Sequence, residues 1–189
     1  MPFVRAIIFD YFGVIQPDVL AKTYAHFGGD PEADAQFLSD TITALNRGFI
    51  DSSKPVFAER LGISVEEWSN GLDSFKKQDP ELLEYIRSLR SRYKIGLLSN
   101  VGPRGLEQLF APVALGAYFD AWLSSGDVGL AKPDPAIYRL MAERLNVPTA
   151  ECVMIDDQPS YCDGARAVGM QAIVYKSLTQ CKHDLQLLL

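Results

Sequence analysis

Apolar runs of strand length recur along this chain at residues 4–9, 94–98, 121–124, 151–155 and 171–175, and from the second run onward helix-like segments separate them. Their continuity is the constraint. A strand that is apolar at nearly every position is buried on both faces, which a parallel sheet flanked by helices provides and a half-exposed antiparallel sheet does not. The helical segments carry their own start and stop signals. Asp79-Pro80 offers an N-cap and a proline at the first helical position, after which Leu82, Leu83, Ile86 and Leu89 share one face. Asp134-Pro135 repeats the signal, with Ile137, Leu140 and Met141 together, and the segment 161–168 stops at Gly169, a residue suited to a left-handed cap. The expected fold is α/β, a doubly wound parallel sheet whose ligands collect beyond the carboxyl ends of the strands.

Between Gly13 and Lys77 the pattern turns helical without strands, broken at Gly28-Gly29-Asp30-Pro31 and again near Gly48 and Gly62. Ser64 and Glu67 have the spacing of a capping box. Residues 16–78 are therefore expected to form a small α-helical cap inserted after the first strand, hinged near Gln16-Pro17 and Gln78-Asp79, with residues 1–15 and 79–189 as the core. A chain of 189 residues accommodates one core and such an insertion.

With 48% hydrophobic and 22% charged residues, the composition excludes disorder and fibrous classes. A net charge of −6 leaves no basic footprint for nucleic acid or an anionic membrane, so neither is expected as a partner. Cys152, Cys162 and Cys181 are odd in number and lack CxxC spacing, which argues against a disulfide framework or a zinc site and for a reducing, cytoplasmic setting. The first apolar run meets the charge of Asp10 too soon for a signal peptide, and no apolar stretch has the length of a membrane span.

Chemistry-bearing residues fall at the strand ends. Asp10 follows the first run, Ser99-Asn100 the second and Asp156-Asp157 the fourth, while Lys132 lies in the loop after the third. A doubly wound sheet brings all of them to one edge. Three carboxylates gathered there with a hydroxyl and a single ammonium leave an excess of negative charge, and a hard divalent ion with oxygen ligands, most simply Mg²⁺, resolves the repulsion. Singly, each has an ordinary structural role: Asp10 as a turn residue, Ser99-Asn100 as a helix cap, Asp156-Asp157 as a loop start, Lys132 as a solvated charge. Their joint order carries the functional reading.

Asp10 after an apolar strand, Ser99-Asn100, Lys132-Pro133-Asp134-Pro135, and Asp156-Asp157 followed by Gly164-Ala165-Arg166 and Gly169 resemble, in order and context, the four motifs of the haloacid dehalogenase-like (HAD) hydrolases. The stretch after the first motif, including Asn46-Arg47-Gly48-Phe49-Ile50-Asp51, resembles the small helical cap of that superfamily's type-one-cap branch. The resemblance implies a Rossmann-like core and a Mg²⁺-dependent phosphatase acting on a small phosphorylated metabolite. Asp10 would be the nucleophile that becomes an aspartyl-phosphate. The metal would be held by Asp10, the backbone carbonyl of Phe12 and Asp157, with Asp156 adjacent. Ser99 and the Asn100 backbone would bind phosphoryl oxygens, and Lys132 would neutralise charge on the nucleophile and the phosphoryl group.

Two positions depart from that pattern. Phe12 stands where the family's phosphatases commonly carry an acid/base Asp, and a benzyl group moves no proton. Tyr161 stands where an Asp or Asn commonly orients the Lys. A catalytically degenerate binding protein is therefore an alternative. A haloacid dehalogenase ranks lower, because Asp156-Asp157 keeps the metal-binding form of the last motif. A receiver-type phosphoacceptor would place its paired acids after the first strand, opposite to the order here. His26 and His183 flank no motif, and Cys162 has no basic neighbour to mark a reactive thiolate.

Overall fold

The computed structural model describes residues 3–17, 19–46, 49–75, 77–110 and 115–189. Strands β1 (Ala6–Phe9), β2 (Lys94–Ser99), β3 (Ala121–Ser124), β4 (Cys152–Asp156) and β5 (Gln171–Val174) form a parallel sheet in the order β3-β2-β1-β4-β5. The helices are α1 (Leu20–His26), α2 (Ala35–Asn46), α3 (Lys54–Leu61), α4 (Val65–Phe75), α5 (Pro80–Leu89), α6 (Gly105–Phe110), α7 (Ser125–Val128), α8 (Pro135–Leu145), α9 (Pro159–Ala167) and α10 (Leu178–Leu188).

Alternation along the strands explains why the runs are continuous. Ile7, Phe9, Ile95, Leu97, Val153 and Ile155 point to one face, where Leu82 and Ile86 of α5, Phe110 of α6 and Leu185 of α10 cover them. Ala6, Ile8, Leu98 and Met154 point to the other, against Ile137 and Met141 of α8 and Ala165 of α9. Both faces are dry, so both sets of positions must be apolar.

The start signals act as expected. Asp79 accepts from the N–H groups of Glu81 and Leu82, and Asp134 from that of Ala136. Two details differ. Helix α9 begins at Pro159, ahead of Tyr161, because a proline at the first helical position forfeits no hydrogen bond. On α8 Tyr138 joins Ile137 and Met141 in the buried cluster, with Leu140 partly buried against it; the Tyr138 hydroxyl donates to the Tyr161 carbonyl at 2.7 Å, which satisfies its polar end inside the core.

Helices α1 to α4 enclose a separate apolar cluster of Tyr24, Leu38, Phe57, Ala58 and Trp68. The Ser64–Glu67 box is formed: the Glu67 N–H donates to Ser64 Oγ at 3.1 Å and the Ser64 N–H to Glu67 Oε2 at 2.8 Å. Gly62 closes α3 at φ +68°. Arg47 and Gly48 of the expected cap element lie outside the described residues. Where the chain leaves and rejoins the sheet, the two crossings are tied together. The Asp79 N–H donates to the Ile15 carbonyl at 2.8 Å, the Tyr11 hydroxyl to Gln16 Oε1 at 2.9 Å, and Gln78 Nε2 to the Tyr11 hydroxyl at 3.2 Å. Among the described residues no helix is long and apolar enough to cross a membrane.

Candidate active site

Strand register sets the geometry. Phe9 pairs with both Leu97 and Ile155, so the next residue, Asp10, emerges level with the ends of β2 and β4, at the point where the strand order reverses. Its N–H donates to the Ile155 carbonyl at 2.9 Å and its side chain is only 6% exposed. The Tyr11 N–H donates to Asp10 Oδ1 at 2.7 Å, and Lys132 Nζ lies 2.9 Å from the same oxygen. Among the described residues Asp10 Oδ2 has no partner.

Lys132 is sealed in. Its side chain is fully buried, and Nζ reaches Asp156 Oδ2 at 2.5 Å and the Tyr161 ring centroid at 4.9 Å. The other Asp156 oxygen, Oδ1, accepts the Gln158 N–H at 2.9 Å. Asn100 brackets the Lys132 backbone from the second strand: its Nδ2 donates to the Lys132 carbonyl at 2.9 Å and its Oδ1 accepts the Lys132 N–H at 2.8 Å. The second and third motifs are thus joined by a two-point clamp.

These surroundings shape the charges. Burial drives the Asp10 carboxyl up to about 7; Lys132 opposes that rise and Asp156 adds to it. Burial works to lower the Lys132 ammonium, but the charges of Asp10 and Asp156 outweigh it and the net direction is upward. Asp157 is raised by burial and by its neighbour Asp156.

Asp157 is half-buried and accepts from Gln158 Nε2 at 3.0 Å. It lies directly over Gly13: a Cβ there would fall 2.3 Å from the Asp157 carboxyl carbon, and Gly13 already has φ +77°. Only a glycine admits the carboxylate at this place. Ligand oxygens of Asp10, Asp156 and Asp157 lie within 4.8 Å of one another, a hard-oxygen set that suits Mg²⁺. Asp156 differs from its companions because both its oxygens already have partners.

Ser99 completes the group. It is 1% exposed, and its Oγ has no hydrogen-bond partner among the described residues. An orphaned buried hydroxyl marks a place for an absent acceptor. Asp10, Phe12, Ser99, Asn100, Asp157 and Tyr161 line one end of a cavity of about 470 Å³ that extends up to α1–α4. Lys132 lies beneath Asp10 and is not part of the wall.

The structure therefore brings together every residue singled out at the strand ends. What sequence reasoning missed is the Asn100 clamp and the stacking of Tyr161 over Lys132, although Tyr161 stood out as a departure. His26 and His183 are exposed and remote from the group. Cys162 is buried, and burial pushes its thiol up to about 11, so it is no thiolate nucleophile.

Comparison with known proteins gives the same direction. The sequence pattern of the haloacid dehalogenase-like hydrolases matches residues 4–169. A phosphatase of Mycobacterium tuberculosis is 38% identical over 104 residues, 52% of this chain; the alignment spans 46% of that protein, so the chain covers about half its length. D-ribitol-5-phosphate phosphatase of Bacteroides thetaiotaomicron is 24% identical over 205 residues, covering 98% of each chain. Among solved structures, a HAD family enzyme from the same bacterium has a TM-score of 0.78 at 20% identity, covering 97% of this chain and 98% of its own. Its wild-type complex with magnesium and inorganic phosphate has a TM-score of 0.73 at 20% identity, covering 93% and 96%.

Proposed function

The chain belongs to the haloacid dehalogenase-like hydrolases, and from that premise we propose that it is a Mg²⁺-dependent phosphatase that works on a small phosphorylated molecule through Asp10, with residues 16–78 as its cap. One observation carries this reading. Asp10 is held by Lys132 through one oxygen while the other has no partner among the described residues, beside the orphaned Ser99 hydroxyl, at the polar end of a cavity.

In this reading Asp10 Oδ2 attacks phosphorus, the ester P–O bond breaks and the leaving alkoxide takes a proton from water. Water then hydrolyses the aspartyl-phosphate and restores the carboxylate. Lys132 fixes which Asp10 oxygen is free and favours its ionised form against the pull of burial. Ser99 Oγ and the Asn100 backbone N–H receive phosphoryl oxygens. Asp10, the Phe12 carbonyl and Asp157 would hold a Mg²⁺, which supplies positive charge to the phosphoryl oxygens when bound. Asp156, grouped with the metal ligands on sequence and part of the same oxygen cluster, also holds Lys132 through Oδ2. The named function of the bacterial relatives supports the reaction class, and the magnesium–phosphate complex of the structural neighbour supports the ion. Three free, buried cysteines suit the expected reducing, cytoplasmic setting.

Phe12 favours a second reading, a degenerate binder of phosphorylated ligands, because no side-chain acid stands two residues after Asp10. Phosphate release from a panel of monoesters decides between them. We expect release that requires Mg²⁺, stops with a chelator and is lost in Asp10→Asn; release that persists in Asp10→Asn overturns the mechanism.

A further inference from the structure

The cavity above Asp10 is built unevenly. Its floor holds the polar groups described above. Its upper wall is apolar, with Leu20 of α1, Ile42 and Leu45 of α2, Phe57 of α3, and Trp68 and Leu72 of α4. Among the described lining residues the carboxylates are Asp10 and Asp157, both in the floor. The polar side chains of the upper part are Asn46, Ser53, Lys54 and Gln108, and Lys54 and Gln108 are exposed, at the solvent side.

A polyol brings a hydroxyl on nearly every carbon, each a donor and an acceptor that needs a partner once water is excluded. Among the described residues this wall has few to offer. The Trp68 indole N–H is buried and without an acceptor among the described residues. An alkyl or aryl body, in contrast, gains by leaving water for the same wall. The volume, about 470 Å³, lies in the range of small-molecule sites, about 300–1,000 Å³.

We propose that the site takes phosphate monoesters of apolar alcohols or phenols in preference to phosphorylated sugars and polyols. This rests on the hydrolase reading above. The reaction is ordinary hydrolysis: the ester P–O bond breaks, the alcohol departs with a proton from water, and inorganic phosphate is released.

The test compares kcat/KM, with Mg²⁺ present, for n-hexyl phosphate and 2-phenylethyl phosphate against ribitol 5-phosphate and glucose 6-phosphate. The apolar esters are expected to lead by at least about tenfold, equivalent to about 1.4 kcal/mol. Leu45 is half-buried at the cavity and lies outside the Trp68 cluster, so Leu45→Asn leaves that core intact. It is expected to shrink the preference about tenfold, chiefly through KM, while Leu45→Met retains it. Calorimetric affinities for the same esters on Asp10→Asn, checked for folding by circular dichroism, read ligand class without turnover. Phosphate release that favours or equals the sugar phosphates overturns the inference and leaves the phosphatase reading standing. Absence of release from every ester, with hexyl phosphate still bound more tightly than ribitol 5-phosphate, overturns the phosphatase reading and keeps the ligand class. Equal affinities and equal rates overturn the inference outright.

Discussion

Replacing Lys132 with Met removes a fully buried cation and leaves Asp10 and Asp156 facing each other without it. Breaking a buried ion pair from one side costs about 3–5 kcal/mol, most of it from the stranded charge. At roughly 2–4 °C per kcal/mol for a chain of this size, the melting temperature should fall by about 6–20 °C. The pH dependence gives the sharper test. In the intact protein burial raises Asp10 from 3.8 to about 7, with Lys132 as the largest opposing influence. Without Lys132 the folded-state value rises further. A carboxyl whose folded pKa exceeds its unfolded one contributes stability below the unfolded pKa and loses it as pH climbs through the folded pKa. The deficit of Lys132→Met should therefore be smallest below pH 7, where Asp10 is protonated in both folded proteins, and grow as pH climbs from about 7 towards the variant's higher value. Circular-dichroism melts in chelator at pH 5 and pH 8 measure it. Lys182→Met is the control: Lys182 Nζ lies 5.0 Å from the Tyr85 ring centroid, and the change should stay within about 0.5 kcal/mol. A drop at pH 8 no larger than the control's, or a deficit that grows on acidification, would refute the reasoning.

Gly13→Ala should cost about 1–2 kcal/mol in stability through its left-handed backbone and displace the Asp157 carboxylate, so Mg²⁺ should no longer raise the melting temperature; an unchanged Mg²⁺ response in thermal melts counts against the assignment of Asp157. Phe12→Asp places a carboxylate near the leaving oxygen and should raise turnover of an alkyl phosphate more than that of an activated aryl phosphate, up to the lower end of the roughly 10²–10⁴-fold range; a folded variant with no gain on any ester favours the binder reading. Asn100→Ala removes both clamp bonds to Lys132 and should lower kcat, with Asn100→Asp, which keeps only the acceptor, falling between; steady-state phosphate release measures both.

Much of this was legible because it depends on periodicity and local chemistry. Continuous runs such as 94–98 announce strands buried on two faces, and Asp79-Pro80 and Asp134-Pro135 announce helix starts. The gathering of Asp10, Ser99, Lys132 and Asp157 follows from parallel strands ending at one edge. What stayed hidden depends on directions that one-dimensional patterns do not carry. Neighbouring Asp156 and Asp157 look equivalent in sequence, yet one turns inward to Lys132 and the other lies over Gly13. Tyr138 joins Ile137 and Met141 in the core because a carbonyl of α9 is at hand for its hydroxyl. The Asn100 clamp spans two loops far apart in the chain, and no local signal reports a pairing between a side chain and a distant backbone.

The knot formed by Tyr11, Gln16, Gln78 and the Asp79–Ile15 hydrogen bond has a mechanical consequence. Two chain crossings pinned at one place would act as a single axle for any swing of α1–α4 over the sheet. Tyr11 is the residue next to Asp10 and donates to its carboxylate. Asp10 thus sits near that pin, where any rotation would produce little travel, while the apolar wall of α2 and α4 lies further out and would sweep furthest. Opening to admit or release a ligand can then proceed without disturbing the alignment of the one oxygen that must strike phosphorus.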